Sequence, residues 1–395
     1  MVTKKIVLGL VAAAFLIGGL VSCKKAESVA SYKIGVAVAQ TGSYAGLGSQ
    51  FLEGMELMVD SINEAGGVNG IPLEVVIYDN KSEATETTLV VKKLIEVDQV
   101  HALIEGTVTA LGMSIVPVAN ESGVPTVILS GTGLLDDQLG AWVFRPAGTE
   151  DNYIALSLEY MSQEMGISEY ATLLENSGYG QGGKVYLPQR SPSYNLTIVE
   201  EQYFDPGATD LTTQLTNIKN SEAQLIFVWG SSPTASMAVK QARELGISLP
   251  IMATPPQVMP DALASFGEYY KMEPPLLAST TKMDIWEQLP DSDRYKALYR
   301  DFTQLFTESY DHSPSLWQML GAQYITFIED GLKRVGTTST DVTEIRSQLR
   351  DALESTEKLQ LLTSVYTMSP EDHFGQVEQT LVIVTFRDGE MVLAP

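Results

Sequence analysis

The stretch from Tyr32 to Tyr78 decides the fold, and it opens with the run Tyr32-Lys33-Ile34-Gly35-Val36-Ala37-Val38-Ala39. This run is rich in apolar and β-branched residues, which is typical of a strand. Apolar residues then recur at helical spacing from Leu47 to Ala65, until Gly66-Gly67 ends the pattern. A second strand-like run covers Leu73–Tyr78. A strand, a helix and a second strand in this order predict a parallel βαβ unit.

The same alternation continues along most of the chain. Further strand-like runs, most of them followed by a helical stretch, are His101–Glu105, Thr126–Leu129, Tyr170–Leu174, Gln202–Phe204, Leu225–Val228 and Ile251–Ala253. Residues 294–355 are rich in helix patterns, and Asp388-Gly389 predicts the turn of a terminal hairpin. We therefore predict an α/β fold with two Rossmann-like parallel-sheet domains, one from Tyr32 and one from about Thr149.

Composition excludes several classes of function. The chain has 395 residues, of which 44% are apolar, and a formal net charge of −24. Its length predicts two domains, and its acidic balance argues against a nucleic-acid partner, because phosphate binding needs a basic surface. The single cysteine and three separated histidines disfavour a thiolate or histidine metal centre. We predict no metal or other cofactor.

The first residues have the pattern of a secretory signal. Lys4 and Lys5 precede an apolar run that ends in Leu20-Val21-Ser22-Cys23, which resembles the lipobox of bacterial lipoproteins. We predict a signal peptide over 1–22, lipidation of Cys23 and a polar tether over 23–31. The alternative is a buried N-terminal helix that happens to end in cysteine. The predicted lipoprotein is extracytoplasmic, in the periplasm or at the cell surface, and held at a bacterial membrane by its lipid.

Several motifs, in order along nearly the whole mature chain, resemble the type I periplasmic binding proteins of the leucine/isoleucine/valine-binding family. They include Ile62-Asn63-Glu64-Ala65-Gly66-Gly67-Val68-Asn69-Gly70, Glu121-Ser122-Gly123-Val124-Pro125 and Gln241-Ala242-Arg243-Glu244-Leu245-Gly246. The resemblance implies a Venus-flytrap architecture, in which two α/β domains joined by a multi-strand hinge close on a ligand. It implies domains over 32–148 plus 278–362 and over 149–277 plus 363–395. It also implies a monomer that delivers a small-molecule ligand to an ABC permease.

Hydroxyl residues follow two of the predicted strands. Thr107 and Thr109 come after the third strand, and Ser130 and Thr132 come after the fourth. In parallel sheets ligands bind at the carboxyl ends of the strands, and hydroxyls at a helix N-terminus suit a carboxylate. The alternative is that these residues are ordinary helix N-caps.

The resemblance adds further candidates for the ligand site. It places Tyr179 in the cleft of the second domain and Tyr44 and Leu47 where the family has a side-chain platform. Ser231 and Ser232 either bind a polar ligand or cap a helix, and Trp317 either lines the cleft rim or belongs to the core. These candidates are Tyr44, Leu47, Tyr179, Ser231, Ser232 and Trp317.

One family feature is missing. Amino-acid binders of the family hold the ligand ammonium with a carboxylate of the second domain, and Pro255 stands near that place here. Either another acid, such as Glu150 or Asp284, takes this role, or the ligand lacks an ammonium and is an apolar carboxylate or amide.

Three functional classes are compatible with the sequence to different degrees. The leading one is a solute-binding lipoprotein of a branched-chain amino-acid-type ABC importer. The second is a sensor module of the same fold that signals to a separate membrane partner. An enzyme is disfavoured, because the sequence has neither a Gly-x-Ser-x-Gly elbow nor a His-Glu-x-x-His motif.

Overall fold

A computed structural model describes residues 29–130, 138–274, 276–335, 339–378 and 380–395. The predicted signal peptide, Cys23 and Thr132 lie outside these residues. Within the described ranges, no helix is long and apolar enough to cross a membrane.

The first half contains the predicted parallel sheet. Its elements are β1 (Tyr32–Val38), α1 (Ala45–Glu64), β2 (Leu73–Asp79), α2 (Ala84–Glu96), β3 (Ala102–Glu105), α3 (Thr109–Ser122), β4 (Thr126–Ile128) and β5 (Val143–Phe144). The strands pair in the order β2-β1-β3-β4-β5, and every pairing is parallel. The carboxyl ends of β3 and β4 therefore lie side by side at one edge of this sheet.

The second half forms a larger sheet. Its elements are α4 (Glu150–Gln163), β6 (Glu169–Glu175), α5 (Gly178–Arg190), β7 (Thr197–Phe204), α6 (Thr212–Lys219), β8 (Ile226–Trp229), α7 (Thr234–Glu244), β9 (Ile251–Ala253), α8 (Pro260–Phe266) and β10 (Leu276–Thr281). Short 3₁₀ helices cover Ser191–Tyr194, Pro255–Gln257, Tyr269–Lys271 and Lys282–Gln288.

The remaining chain returns to the first half and then completes the larger sheet. It forms α9 (Arg294–Ser309), α10 (Leu316–Val335), α11 (Val342–Glu354), β11 (Leu359–Gln360), β12 (Val365–Tyr366), β13 (Leu381–Arg387) and β14 (Glu390–Leu393). The larger sheet has the order β14-β13-β10-β9-β8-β6-β7 and is mixed, because β13 and β14 pair antiparallel. The predicted terminal hairpin is thus present. Its strands form the antiparallel edge of a sheet whose other pairings are parallel.

The chain passes between the two halves after β5, after β10 and again before β13. The predicted two-domain α/β fold with several crossings is confirmed. The division at 148, 277 and 362 stays a prediction. One of its boundaries, between 277 and 278, falls inside β10, all of which pairs within the larger sheet. We therefore propose that this boundary lies after Thr281.

Two helices of the first half approach each other closely. Phe51, Met55 and Ile62 of α1 are buried, as the helical spacing predicts. A Cβ on Gly54 of α1 would lie 1.8 Å from the Gln318 carbonyl oxygen of α10, so only glycine fits there. This close packing brings the first turns of α10, with Trp317, next to Leu47 near the start of α1.

Candidate ligand-binding cleft

A cavity of about 80 Å³ lies between the two halves of the molecule. Its wall from the first half follows the carboxyl ends of β3 and β4, and its wall from the second half includes the loops after β8 and β9. The lining residues are Leu47, Thr107, Val108, Thr109, Leu129, Ser130, Ala147, Gly148, Tyr153, Tyr179, Ser231, Pro255, Pro256, Leu316, Trp317, Leu320 and Thr363. The cavity thus lies where parallel-sheet topology places ligand sites.

The structure brings seven of the ten predicted site residues together around this cavity. They are Leu47, Thr107, Thr109, Ser130, Tyr179, Ser231 and Trp317.

Three predicted residues are not in this lining set. Thr132 lies outside the described residues. Tyr44 precedes α1, and burial, together with Glu175 and Glu83, raises its pKa to about 12. Ser232 Oγ contacts Ser236 Oγ at 2.6 Å and donates to the Pro256 carbonyl oxygen at 2.5 Å. The Ser232 hydroxyl is thus used within its own turn and lines an adjoining pocket, and its part in the ligand site stays a prediction.

The wall from the first half carries three hydroxyl side chains. Thr107 Oγ1 accepts a hydrogen bond from the Ala39 N–H at 3.1 Å, which ties this turn to the end of β1. Thr109 is the first residue of α3. Ser130 is 1% exposed, and its Oγ has no hydrogen-bond partner among the described residues. A buried hydroxyl without a partner is costly in the protein alone, so the Ser130 hydroxyl suits contact with a bound molecule.

The guanidinium of Arg145 lies behind the Ser130 turn. Arg145 is fully buried, and its Nη1 donates to the Ser130 carbonyl oxygen at 2.9 Å. This bond fixes the turn and places a positive charge on the protein side of the cavity wall.

The opposite wall centres on Tyr179. Its ring stacks on that of Trp229 with centroids 5.0 Å apart, and Trp229 Nε1 donates to the Tyr179 carbonyl oxygen at 3.1 Å. Burial, and next the nearby Glu150 carboxylate, raise the pKa of Tyr179 well above 10, so its hydroxyl stays neutral. This packing holds the ring in one orientation against the cavity.

A third part of the lining is apolar. Leu316, Trp317 and Leu320 project from the first turns of α10. Trp317 is 6% exposed, and its Nε1 has no hydrogen-bond partner within the described ranges. The indole therefore presents both an apolar face and an unused N–H donor to this region.

None of the cavity-lining residues that the structure describes carries a charged side chain. The two acids suggested from the sequence as ammonium partners are absent from this lining. Asp284 accepts hydrogen bonds from Thr280 Oγ1 and Thr281 Oγ1, and it lines an adjoining cavity instead. Glu150 packs against α5, where a Cβ on Gly182 would lie 1.7 Å from its Oε2. Neither acid therefore belongs to the described lining, and a role for either as the ammonium partner stays a prediction.

A further buried acid lies close to the cleft. Glu175 is 3% exposed and ends β6; its Oε2 accepts from Ser177 Oγ at 2.7 Å and from the Ser231 N–H at 3.1 Å. Burial raises its pKa, and the two hydrogen bonds partly offset this effect. Glu175 therefore organises the turn that carries Ser231.

Sequence reasoning missed several lining residues. Ala147 and Gly148 belong to the first crossing between the halves, Tyr153 to α4 and Thr363 to the return of the chain. Only the three-dimensional path of the crossings brings them to the cavity. No group of residues in the described part of the chain has the arrangement of a metal site.

The comparison with known families decides the identity. Residues 31–390 match the model of a family described as periplasmic binding protein. The chain belongs to the periplasmic binding protein family. The resemblance to its type I, leucine/isoleucine/valine-binding members is confirmed. This family is one of solute-binding proteins rather than enzymes, and its members are extracytoplasmic.

Two relatives come from Pseudomonas aeruginosa. An amino acid binding protein is 26% identical over 230 residues, which cover 58% of this chain and 61% of the relative. A leucine-, isoleucine-, valine-, threonine- and alanine-binding protein is 23% identical over 241 residues, which cover 61% of this chain and 64% of the relative. The match thus spans less than two thirds of either relative's own length.

Solved structures share the fold of this family member. An extracellular ligand-binding receptor from Rhodopseudomonas palustris has a TM-score of 0.84 at 19% identity, covering 92% of this chain and all of the other. The branched-chain amino acid transporter substrate binding protein LivJ from Streptococcus pneumoniae, solved in complex with isoleucine, has a TM-score of 0.77 at 23% identity, covering 92% of this chain and all of the other. A solute-binding protein from R. palustris, solved with benzoate, has a TM-score of 0.77 at 19% identity, with 92% and 95% coverage.

Proposed function

We propose that this chain is the extracytoplasmic solute-binding lipoprotein of a branched-chain or hydrophobic amino-acid-type ABC importer. It binds a small amino acid, or a related apolar carboxylate or amide, in the cleft between its two domains. The observation that carries the proposal is the shared cavity, in which hydroxyl groups of the first domain face Tyr179 and Ser231 of the second. The ligands of the similar proteins, which include leucine, isoleucine and benzoate, support it.

Hinge closure is the proposed mechanism, with no covalent step. The N-terminus of α5 in the second domain meets that of α3 in the first, where a Cβ on Gly178 would lie 3.3 Å from Thr109 Cγ2. A ligand that contacts both walls stabilises this closed arrangement, and closure in turn presents one surface to a permease.

The proposal is tested by native mass spectrometry of the protein from Lys24 onward. After denaturation, any co-purified molecule is identified, and its binding is then measured by calorimetry. We expect one small apolar molecule for each chain. A folded protein that binds no amino acid, apolar carboxylate or amide would contradict the proposal.

Lipidation of Cys23 is a separate part of the proposal. Cells that express the chain are grown with labelled palmitate, and a Cys23→Ser variant is the control. We expect label in the first protein and none in the second. Equal labelling, or none in either, would contradict the predicted anchor.

A further inference from the structure

We propose that the ligand of this cleft is an apolar monocarboxylate that lacks an ammonium group. The inference rests on the proposed function. Of the three ligand classes named there, amino acids, apolar carboxylates and amides, it selects the carboxylates. It follows from the charges and the unused hydrogen-bond donors around the cavity.

The first step concerns the ammonium group. An ammonium enclosed between two domains needs a carboxylate or several hydrogen-bond acceptors, because nothing else offsets the free energy lost when it leaves water. The described lining has no acidic side chain. The nearby carboxylates of Asp284 and Glu175 already accept hydrogen bonds from protein donors, Asp284 from Thr281 Oγ1 and Glu175 from Ser177 Oγ and the Ser231 N–H. Amino acids are therefore disfavoured against analogues that lack the amino group.

The second step concerns the carboxylate. Helix α3 has 14 residues, and its first residue, Thr109, lies on the cavity wall. The positive end of the helix dipole therefore faces the cavity, where it favours an anion. The buried Arg145 guanidinium behind the Ser130 turn adds positive potential on the same side.

Two donors in the cavity wall lack a partner within the described part of the chain. Ser130 Oγ and Trp317 Nε1 are both buried, and both residues line the cavity. An indole N–H only donates, and a hydroxyl also donates one hydrogen bond, so both are complementary to carboxylate oxygens. This independent observation supports the α3 N-terminus as an anion site.

The remaining lining matches an apolar body. Leu47, Leu129, Leu316, Leu320 and the two prolines at 255 and 256 supply hydrocarbon contacts around the polar end. An aliphatic or aromatic group that carries a single carboxylate would contact both the polar end and the apolar part of this lining.

Matched ligand series test the inference. Calorimetry compares leucine with 4-methylpentanoate and 4-methylpentanamide, and phenylalanine with 3-phenylpropanoate and 3-phenylpropanamide. In at least one series we expect the carboxylate to bind about tenfold or more tightly than both partners, as one ionic hydrogen-bonded contact predicts. An amino acid or an amide that binds equally or more tightly would overturn the inference and leave the proposed function intact. Absence of binding in both series up to about 1 mM would contradict both this inference and the proposed function.

Three variants locate the carboxylate, and two of them are matched serine substitutions. Ser130 and Ser279 are both buried serines whose Oγ lacks a partner among the described residues, but Ser279 lies in β10 and does not line the cavity. We expect Ser130→Ala to weaken binding of the carboxylate about tenfold and Ser279→Ala to leave it unchanged. Trp317→Phe keeps an aromatic ring but removes the N–H donor, and it should weaken binding of the carboxylate more than binding of the amide. Equal affinities of Ser130→Ala and the unmodified protein would contradict this placement.

Discussion

Giving Gly178 a side chain is expected to weaken ligand binding without unfolding the protein. Gly178 is the first residue of α5, and its φ is not positive, so alanine fits its backbone and favours the helix. A Cβ there would lie 3.3 Å from Thr109 Cγ2 and 3.8 Å from the Ala110 nitrogen, both across the cleft. The added methyl therefore acts as a wedge that opposes closure only.

The expected magnitude follows from this geometry. A Cβ contact of 3.3 Å requires the neighbour to move by a few tenths of an ångström, which corresponds to about 1 kcal/mol of overpacking. Since apparent affinity scales with the population of the closed state, Gly178→Ala should weaken binding about fivefold. Gly178→Val adds two more methyls and should weaken binding by about thirtyfold or more.

A second variant isolates the contact. Thr109→Ser keeps the hydroxyl but removes Cγ2, which is the atom that the new Cβ meets. Calorimetry on the single and double variants forms a double-mutant cycle, and small-angle scattering reports closure. In the Thr109→Ser background, we expect Gly178→Ala to weaken ligand affinity by about twofold or less. An unchanged affinity of Gly178→Val would refute closure at this contact.

Three further predictions concern pH and ligand selectivity. Burial lowers the pKa of His101 from 6.5 to about 4, so the wild-type protein should lose about 3 kcal/mol of unfolding free energy as pH falls from about 6.5 to 4. His101→Asn should lack this loss, and urea unfolding of both proteins measures the difference. Burial raises the pKa of Glu105 well above 4.5, so the wild-type protein should lose stability relative to Glu105→Gln as pH rises above 4.5, with a slope of about 1.4 kcal/mol per pH unit. A stability difference between wild type and variant that does not change with pH would contradict the pKa shift of His101 or of Glu105. Pro255→Glu places an acid on the lining, and calorimetry should show a gain in leucine affinity relative to 4-methylpentanoate of about tenfold. An unchanged ratio would show that a charge at 255 does not reach the ligand.

The sequence predicts the topology well because strand and helix periodicities are local. It also predicts that Thr107, Thr109 and Ser130 lie close together, as they do in the cavity lining, since the ends of neighbouring parallel strands must meet at one edge. β10 was missed because its run Leu276–Thr281 ends in hydroxyl residues and has no alternation of apolar and polar positions. All six of its residues are buried, which only the larger sheet explains.

Side-chain direction in turns was harder to predict. Ser231 and Ser232 are neighbours in one turn, yet only Ser231 lines the main cavity. Local spacing does not determine which of two adjacent turn residues faces a ligand. Gly148 and Thr363 reach the cavity through the crossings between domains, and no sequence pattern marks them.

The most direct test is a crystal structure of the protein with the carboxylate that binds most tightly in the calorimetric series. The account predicts one molecule between the two domains, with its carboxylate within hydrogen-bond distance of Ser130 Oγ and Trp317 Nε1. A molecule bound outside this cavity, or one whose carboxylate points away from the α3 N-terminus, would contradict the account.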